Sequence, residues 1–173
     1  FDAWVAEMLI LGVGGTLAIV PSDIRLDETR CARYYQEHKI NVAIFTPAFL
    51  NKLGGPEHFP LWRALFIVGE SFDWELVKKW KTEKLQIVNG YGLTETTICA
   101  TLENLDIDDV GKPLSIGKPI VGTKILIKIP TNIDNNNPDT EKDYGPETTY
   151  QDPESSSSAI ELAGEPWFGG ISL

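Results

Sequence analysis

Residues 88–97, Val-Asn-Gly-Tyr-Gly-Leu-Thr-Glu-Thr-Thr, combine side chains that could bind a phosphorylated ligand. They follow an apolar run, and in open α/β sheets ligands bind just past the carboxyl ends of the strands. Gly90 and Gly92 would let a ligand approach the backbone, and Tyr91 offers a flat ring. The threonine hydroxyls could face phosphate, and Glu95 supplies the hard oxygen that Mg²⁺ prefers. Taken alone, however, these residues favour a simpler alternative, a glycine turn whose threonines cap a helix and whose Glu95 is solvated.

Alternating helices and apolar strands must position this segment. We expect helices at 2–11, 27–38 and 73–81, and strands at 16–20, 41–45, 63–68 and 85–88. Continuous apolar strands separated by helices are typical of a parallel sheet covered on both faces. Beyond Gly111 short strands predominate, and residues 124–129 alternate like a half-exposed strand. The expected fold class is therefore α/β, with mostly parallel sheets flanked by helices and a β-rich end.

Residues 130–158 differ from the rest of the chain in composition. They hold seven acidic residues against a single lysine, together with an Asn triplet and a Ser quartet. With so little to bury, this segment is expected to be a mobile acidic loop, either a tolerated surface insertion or a docking segment. The expected organisation is an α/β core at 1–129, the loop at 130–158, and a β-rich continuation at 159–173 that begins with a strand at 159–162.

Composition narrows the classes of function. The 173 residues carry a formal charge of −10, which argues against nucleic acid or an anionic membrane surface as a partner. The longest apolar stretch, 8–20, is broken by glycines and too short to span a bilayer. Two cysteines, Cys31 and Cys99, are too few for a disulfide framework, which fits a cytoplasmic location. His38 and His58 have no metal-site spacing and are interpreted as helix-face and loop residues. Because the chain lacks an initiator Met and ends without a turn, we expect a fragment.

Two segments, in this order along the chain, carry a resemblance to a known family. Residues 89–97 resemble the N-x-Y-G-P-T-E-T-T signature of adenylate-forming enzymes. Residues 1–8, Phe-Asp-Ala-Trp-Val-Ala-Glu-Met, resemble the F-D-x-S-V-x-E-M segment of the amino-acid-activating adenylation domains of non-ribosomal peptide synthetases. Shorter matches lie at 46–47, 68–71 and 164–170. Leu93 and Pro166 depart from the family, which usually has Pro and Leu there, and Pro166 argues against a regular strand after Gly164.

The resemblance implies part of the large N-terminal subdomain of an enzyme of secondary metabolite biosynthesis. Such enzymes join an amino acid to AMP with release of pyrophosphate, then pass it to phosphopantetheine on a separate carrier domain. It implies ATP and Mg²⁺ as cofactors. The family's phosphate loop and late lysine are missing from this chain, so we expect the fragment alone to be inactive. The alternatives are an acyl- or aryl-CoA ligase of the same superfamily and a non-catalytic binding module.

The resemblance also assigns residue roles. Glu95 would hold Mg²⁺, with Thr94 and Thr96 near phosphate. The adenine would meet Asn89, Tyr91, Gly92 and the turn formed by Gly69, Glu70 and Ser71. The implied amino-acid pocket comprises Asp2, Ala3, Ala6, Ile44, Phe66, Val68, Gly90, Ile98 and Cys99. Asp2 would pair with the substrate's α-ammonium group, although its position also suits a helix N-cap. The rest are apolar or small, which predicts a large apolar substrate, aromatic ahead of branched aliphatic, with Ala6 and Gly90 leaving volume.

Overall fold

The computed structural model describes residues 3–123, 125–128, 148–149 and 165–168. The chain forms two compact units, Phe1–Lys118 and Pro119–Leu173. The elements of the first are α1 (Ala3–Gly12), α2 (Glu28–Glu37), β1 (Val42–Phe45), α3 (Pro47–Leu50), β2 (Ala64–Val68), α4 (Trp74–Trp80), β3 (Gln86–Tyr91) and β4 (Thr101–Leu105). Short 3-10 turns lie at Pro56–His58, Thr94–Thr96 and Ile107–Asp109. The three predicted helices, and the strands predicted at 41–45, 63–68 and 85–88, are confirmed.

The main sheet has the order β1-β2-β3-β4-β5, where β5 is the two-residue strand Lys118–Pro119. β1, β2 and β3 are parallel, with Val42 paired to Ala64 and Ala64 paired to Gln86. β4 runs antiparallel to β3. Only residues 92–100 join these two strands, a connection too short for the crossover that a parallel pair requires. The α/β fold class is confirmed, and the sheet is mixed.

The strand predicted at 16–20 is wrong. These residues have no regular structure, and the side chain of Ile19 is 78% exposed. The Tyr34 hydroxyl of α2 donates to the Ile19 carbonyl at 2.9 Å. Within the described residues no strand lies beside this segment, and an apolar run without a hydrogen-bonded neighbour cannot join a sheet.

Helices α2 and α4 begin where local side chains satisfy their free N–H groups. The Asp27 carboxylate accepts from the Arg30 N–H at 3.0 Å, and Asp73 accepts from the N–H groups of Glu75 and Leu76 at 3.1 and 3.2 Å. N-caps of this kind contribute about 1 kcal/mol each. The two helices are therefore fixed at their starts by residues within three positions.

The core lies on one face of the main sheet. Ala43, Leu65, Ile87 and Leu105 are register partners across four strands, and all are buried. Residues from α2, α4 and the connections cover them, including a stack of Phe59, Trp62 and Trp80 with ring centroids 4.2 and 5.5 Å apart.

The opposite face of the main sheet is only partly covered in the described structure. Val68 and Val88 are buried there, Ile44 and Phe66 are half-buried, and Val42 is exposed. Complete cover of both faces, as expected from the apolar strands, is therefore not seen within the described residues.

The second unit contains a three-stranded antiparallel sheet. Its strands are β6 (Ile125–Lys128), β7 (Thr148–Thr149) and β8 (Glu165–Phe168), in the order β7-β6-β8. The strand predicted at 124–129 is confirmed, whereas the one predicted at 159–162 lies outside the described residues. β7 falls inside the predicted loop at 130–158, so that loop contains paired backbone. Pro166 is tolerated in β8 because this is an edge strand, where one side of the backbone needs no partner.

Candidate functional site

The segment at 88–97 crosses the end of a strand. β3 continues to Tyr91, so Asn89 and Gly90 are strand residues and not part of a turn as expected. The chain then leaves the sheet and forms the 3-10 turn Thr94–Thr96. The Thr96 hydroxyl accepts from the Leu93 N–H at 3.0 Å and donates to the Leu93 carbonyl at 2.9 Å. Thr96 thus has the capping role of the simpler alternative, which leaves its hydroxyl less free to meet phosphate.

The other two predicted catalytic side chains, Thr94 and Glu95, are exposed on this turn. Among the described residues, no group of three or more His, Cys, Asp or Glu side chains is placed to hold a metal ion. Mg²⁺ is commonly held by one or two carboxylates together with the phosphates of its nucleotide. The exposed Glu95 carboxylate fits such a site, in which the nucleotide supplies further ligands.

Residues 97–100, here named the return, connect the turn to β4 and have a strained backbone. Thr97 and Ile98 both have left-handed backbone angles, with φ of 54° and 81°. This region is costly for a β-branched residue such as Ile98. The Ala100 N–H donates to the Tyr91 carbonyl at 2.8 Å, which closes the loop. A Cβ on Gly92 would lie 2.2 Å from the Ile98 carbonyl oxygen, so the return lies directly against this glycine.

Four of the predicted pocket residues share one face of the main sheet. Ile44, Phe66, Val68 and Gly90 occupy alternate positions on β1, β2 and β3, and the register pairs Ile44 with Phe66 and Val68 with Gly90. They lie on the face opposite the core. The strand period of two places the side chains of Ile44, Phe66 and Val68 on the same side as the α-hydrogen face of Gly90 that a Cβ would occupy.

Cys99 joins this set through the strained return. A Cβ on Gly90 would lie 2.8 Å from Val68 Cγ1 and 3.1 Å from Cys99 Sγ. The space above Gly90 is therefore filled by the Val68 and Cys99 side chains, and it is not the free volume that the sequence suggested. Burial raises the pKa of the Cys99 thiol, which remains neutral at physiological pH. In this part of the predicted pocket the described side chains are uncharged.

The α1 positions are separate from this cluster in what the structure describes. Asp2 lies outside the described residues, as does the side chain of Ala3. Ala6 is half-buried on α1, and the described core includes no residue of this helix. Their predicted place in the pocket stays a prediction.

The turn after β2 has a structural contact of its own. Gly69 has a φ of 88°, a conformation that favours glycine. The Glu70 carboxylate accepts from the Ala48 N–H at 3.1 Å and so ties the turn to α3. Ser71 lines a cavity of about 390 Å³, together with residues of α3, α4 and the connection between β2 and α4. Of the predicted adenine positions, this cavity contains only Ser71.

The Asn89 side chain is hydrogen-bonded to the loop that contains Ser115, a contact that the sequence did not predict. Its side-chain Nδ2 donates to the Ser115 carbonyl at 2.7 Å, and Ser115 Oγ donates to the Glu103 carboxylate at 3.2 Å. Asn89 and Glu103 are register partners on β3 and β4. No local pattern indicates this contact, because Asn89 and Ser115 are 26 positions apart.

The chain is similar to known proteins both in sequence and in fold. Tyrocidine synthase 2 from Brevibacillus parabrevis is 40% identical over 128 residues, which are 73% of this chain and 4% of that protein. A solved structure of a protein containing adenylation and PCP domains of a non-ribosomal peptide synthetase (NRPS) covers 73% of this chain and 27% of its own, with 26% identity and a TM-score of 0.61. A four-domain non-ribosomal peptide synthetase bound to AMP and glycine matches 73% of this chain and 10% of its own, with 27% identity and a TM-score of 0.62.

This chain therefore spans a small part of each of these three proteins. Over the described residues, no helix is both long and apolar enough to cross a membrane. A family model described as AMP-binding enzyme matches residues 1–142. Together with the mixed α/β sheet and the segment at 89–97, this match shows that the chain belongs to the AMP-binding enzyme family, and the proteins that it resembles include non-ribosomal peptide synthetases.

Proposed function

We propose that this chain is part of a cytoplasmic adenylation domain that activates an amino acid. The observation that carries the proposal is the junction at the end of β3. There an exposed polar turn, Thr94–Thr96, leads directly through Ile98 and Cys99 onto an apolar sheet face. A nucleotide on the turn and an apolar side chain on the sheet face would bring a phosphate and a carboxylate close together.

The proposed reaction brings together two anions. A carboxylate oxygen of the amino acid attacks the α-phosphorus of ATP, a bond from that phosphorus to the bridging oxygen breaks, and pyrophosphate leaves. Such a reaction depends on positioning and on compensating charge more than on a general base. Mg²⁺, held by Glu95 and the phosphates, would offset that negative charge when bound. Tyr91 would pack on the adenine, and the Thr94 hydroxyl would lie near phosphate.

The apolar sheet face supports an apolar substrate. Ile44, Phe66 and Val68 would contact the substrate's side chain, with Ile98 and Cys99 on the loop beside them. A charged side chain would lose its hydration there without gaining a partner, a cost of several kcal/mol. Because Val68 and Cys99 fill the space over Gly90, the proposed pocket is shallower at that point than the sequence alone suggests. We propose a large apolar or aromatic amino acid.

The aminoacyl group of the adenylated product would next be transferred to a carrier domain. One similar protein has been solved as an NRPS protein containing adenylation and PCP domains, which supports a carrier domain as partner. In the proposed transfer, the thiol of phosphopantetheine on that domain attacks the acyl carbon, and AMP leaves. The thioester forms as the acyl-phosphate bond breaks.

Substrate-dependent exchange of pyrophosphate into ATP tests the proposal, with the full-length protein that contains this chain. Phe, Leu, Glu and Lys are compared, together with 3-phenylpropionate, which lacks the ammonium group. We expect exchange with Phe or Leu and none with Glu or Lys. Exchange with 3-phenylpropionate but no amino acid would favour the acyl-CoA ligase, and no exchange with any acid would favour a binding module.

A substitution at Asp2 tests the proposed contact with the α-ammonium group of the amino acid. Asp2→Ala should lower exchange by about 100-fold to several thousand-fold, since removing one partner of a buried ion pair costs about 3–5 kcal/mol. Its melting temperature should stay within about 2 °C of the parent, because in the absence of substrate the proposed ion pair is not formed and the substitution removes no partner. If the variant melts early and retains exchange, Asp2 is a helix cap.

A further inference from the structure

Residues 112–117, here named the tether loop, are hydrogen-bonded to the main sheet and to α4 through their carbonyl groups. The Trp74 indole N–H donates to the Lys112 carbonyl at 2.7 Å. Asn89 Nδ2 donates to the Ser115 carbonyl at 2.7 Å, and the buried Thr101 hydroxyl donates to the Ile116 carbonyl. Three side chains from α4, β3 and β4 thus fix the path of this loop.

Ser115 has a second set of bonds through its hydroxyl. Oγ donates to the Glu103 carboxylate at 3.2 Å and accepts from the Gly117 N–H at 2.9 Å. Gly117 has a φ of 87°, and a Cβ there would lie 2.1 Å from the Leu102 carbonyl oxygen. The loop therefore lies against β4, and the Ser115 hydroxyl holds it beside Glu103.

The tether loop determines which end of the Asn89 side chain is available. A backbone carbonyl only accepts hydrogen bonds, so the group facing Ser115 must be the NH₂ of the carboxamide. The carboxamide is planar, and its Oδ1 therefore remains as an acceptor on the other branch. The group on C6 of adenine is an amine that donates, whereas the group on C6 of guanine is an oxygen that accepts.

We infer that Ser115 and Glu103 are positioning residues that hold the Asn89 carboxamide as an acceptor and so favour adenine over guanine nucleotides. This inference rests on the nucleotide-binding part of the proposed function, together with the place of Asn89 at the adenine edge that the family resemblance implies. Without the Ser115 hydroxyl, the carbonyl moves away from Asn89, and the carboxamide can turn to present its NH₂ group to guanine.

The test measures the dissociation constants of ATP and GTP, with Mg²⁺ present and no amino acid, on the full-length protein by calorimetry. We expect Ser115→Ala to lower the preference for ATP about 5-fold to 10-fold, the effect of one hydrogen bond. Ser115→Thr keeps the hydroxyl and should retain the preference for ATP. Ser22→Ala, at an exposed serine, should also leave this preference unchanged. Asn89→Ala serves as the reference for complete loss of the contact.

The outcomes distinguish the positioning role of Ser115 from the contact between Asn89 and adenine. If Asn89→Ala lowers the preference and Ser115→Ala does not, the positioning role is overturned while the adenine contact stands. If neither variant changes the preference, or if the parent binds both nucleotides equally, the inference is overturned together with the adenine contact. Pyrophosphate exchange with Phe, run in parallel, reports the proposed reaction independently. Its failure alongside a normal ATP preference would overturn the proposed amino-acid activation and leave the inference about nucleotide binding in place.

Discussion

Gly92 is the position where a single methyl group should disrupt the candidate site most directly. In Gly92→Ala the new Cβ would lie 2.2 Å from the Ile98 carbonyl oxygen and 2.7 Å from the Ala100 nitrogen. Both are backbone atoms, so neither can rotate away as a side chain would. The return must shift outward, which weakens the 2.8 Å bond from the Ala100 N–H to the Tyr91 carbonyl.

The expected cost follows from these contacts. Overpacking of this kind destabilises by about 1–3 kcal/mol, and the weakened hydrogen bond contributes up to about 1 kcal/mol. A chain of this size loses about 2–4 °C of melting temperature per kcal/mol. Gly12→Ala is the matched control, because a Cβ on Gly12 meets nothing within 4 Å at the end of α1. We expect that control to be neutral or stabilised by up to about 1 kcal/mol.

Urea unfolding of both variants, followed by tryptophan fluorescence, measures the difference. Gly92→Ala should unfold at lower urea than Gly12→Ala, and in the full-length protein it should also reduce pyrophosphate exchange. If both variants are equally stable, the return does not lie against Gly92, and the link between the polar turn and the apolar sheet face is wrong.

Three further tests probe other parts of the molecule. In the full-length protein Glu95→Gln should lower the rate of pyrophosphate exchange by orders of magnitude. Replacing residues 132–144 with a short turn should leave that rate unchanged, because the entropy of loop closure changes by only about 0.6 kcal/mol per doubling of length. The reverse result would show that Glu95 is not the carboxylate on which the reaction depends. Trp80→Ala should cost about 3–5 kcal/mol in urea unfolding, since Trp80 is fully buried, and the exposed Trp4 should tolerate the same change within about 0.5 kcal/mol. Burial, with a smaller effect of Asp27, raises the pKa of Cys31 above its ordinary value of 9.0, so its contribution to stability is full below pH 9 and is lost as pH rises further. Unfolding measured from pH 8 to 10.5 should show a shallower decline for Cys31→Ala, and identical slopes would contradict the shift.

Local features of the sequence determined where most helices and strands lie. Asp27 and Asp73 cap α2 and α4 through N–H groups no more than three residues away. The apolar runs that became β1, β2 and β3 are continuous enough to identify without knowing their neighbours. The family resemblance had already named Ile44, Phe66 and Val68, and the strand period of two puts Phe66 and Val68 on the same side of β2. These features depend on interactions within a few residues, so the sequence contains them.

The tertiary structure decided which of these local tendencies were used. Residues 16–20 are as apolar as a strand, but in the described structure they have no neighbouring strand to pair with. The left-handed angles at Thr97 and Ile98 and the filled space above Gly90 depend on how the chain returns from β3 to β4. The bond from Asn89 to Ser115 joins positions 26 residues apart. Backbone pairing and side-chain packing of this kind depend on distances in space, which local sequence patterns do not specify.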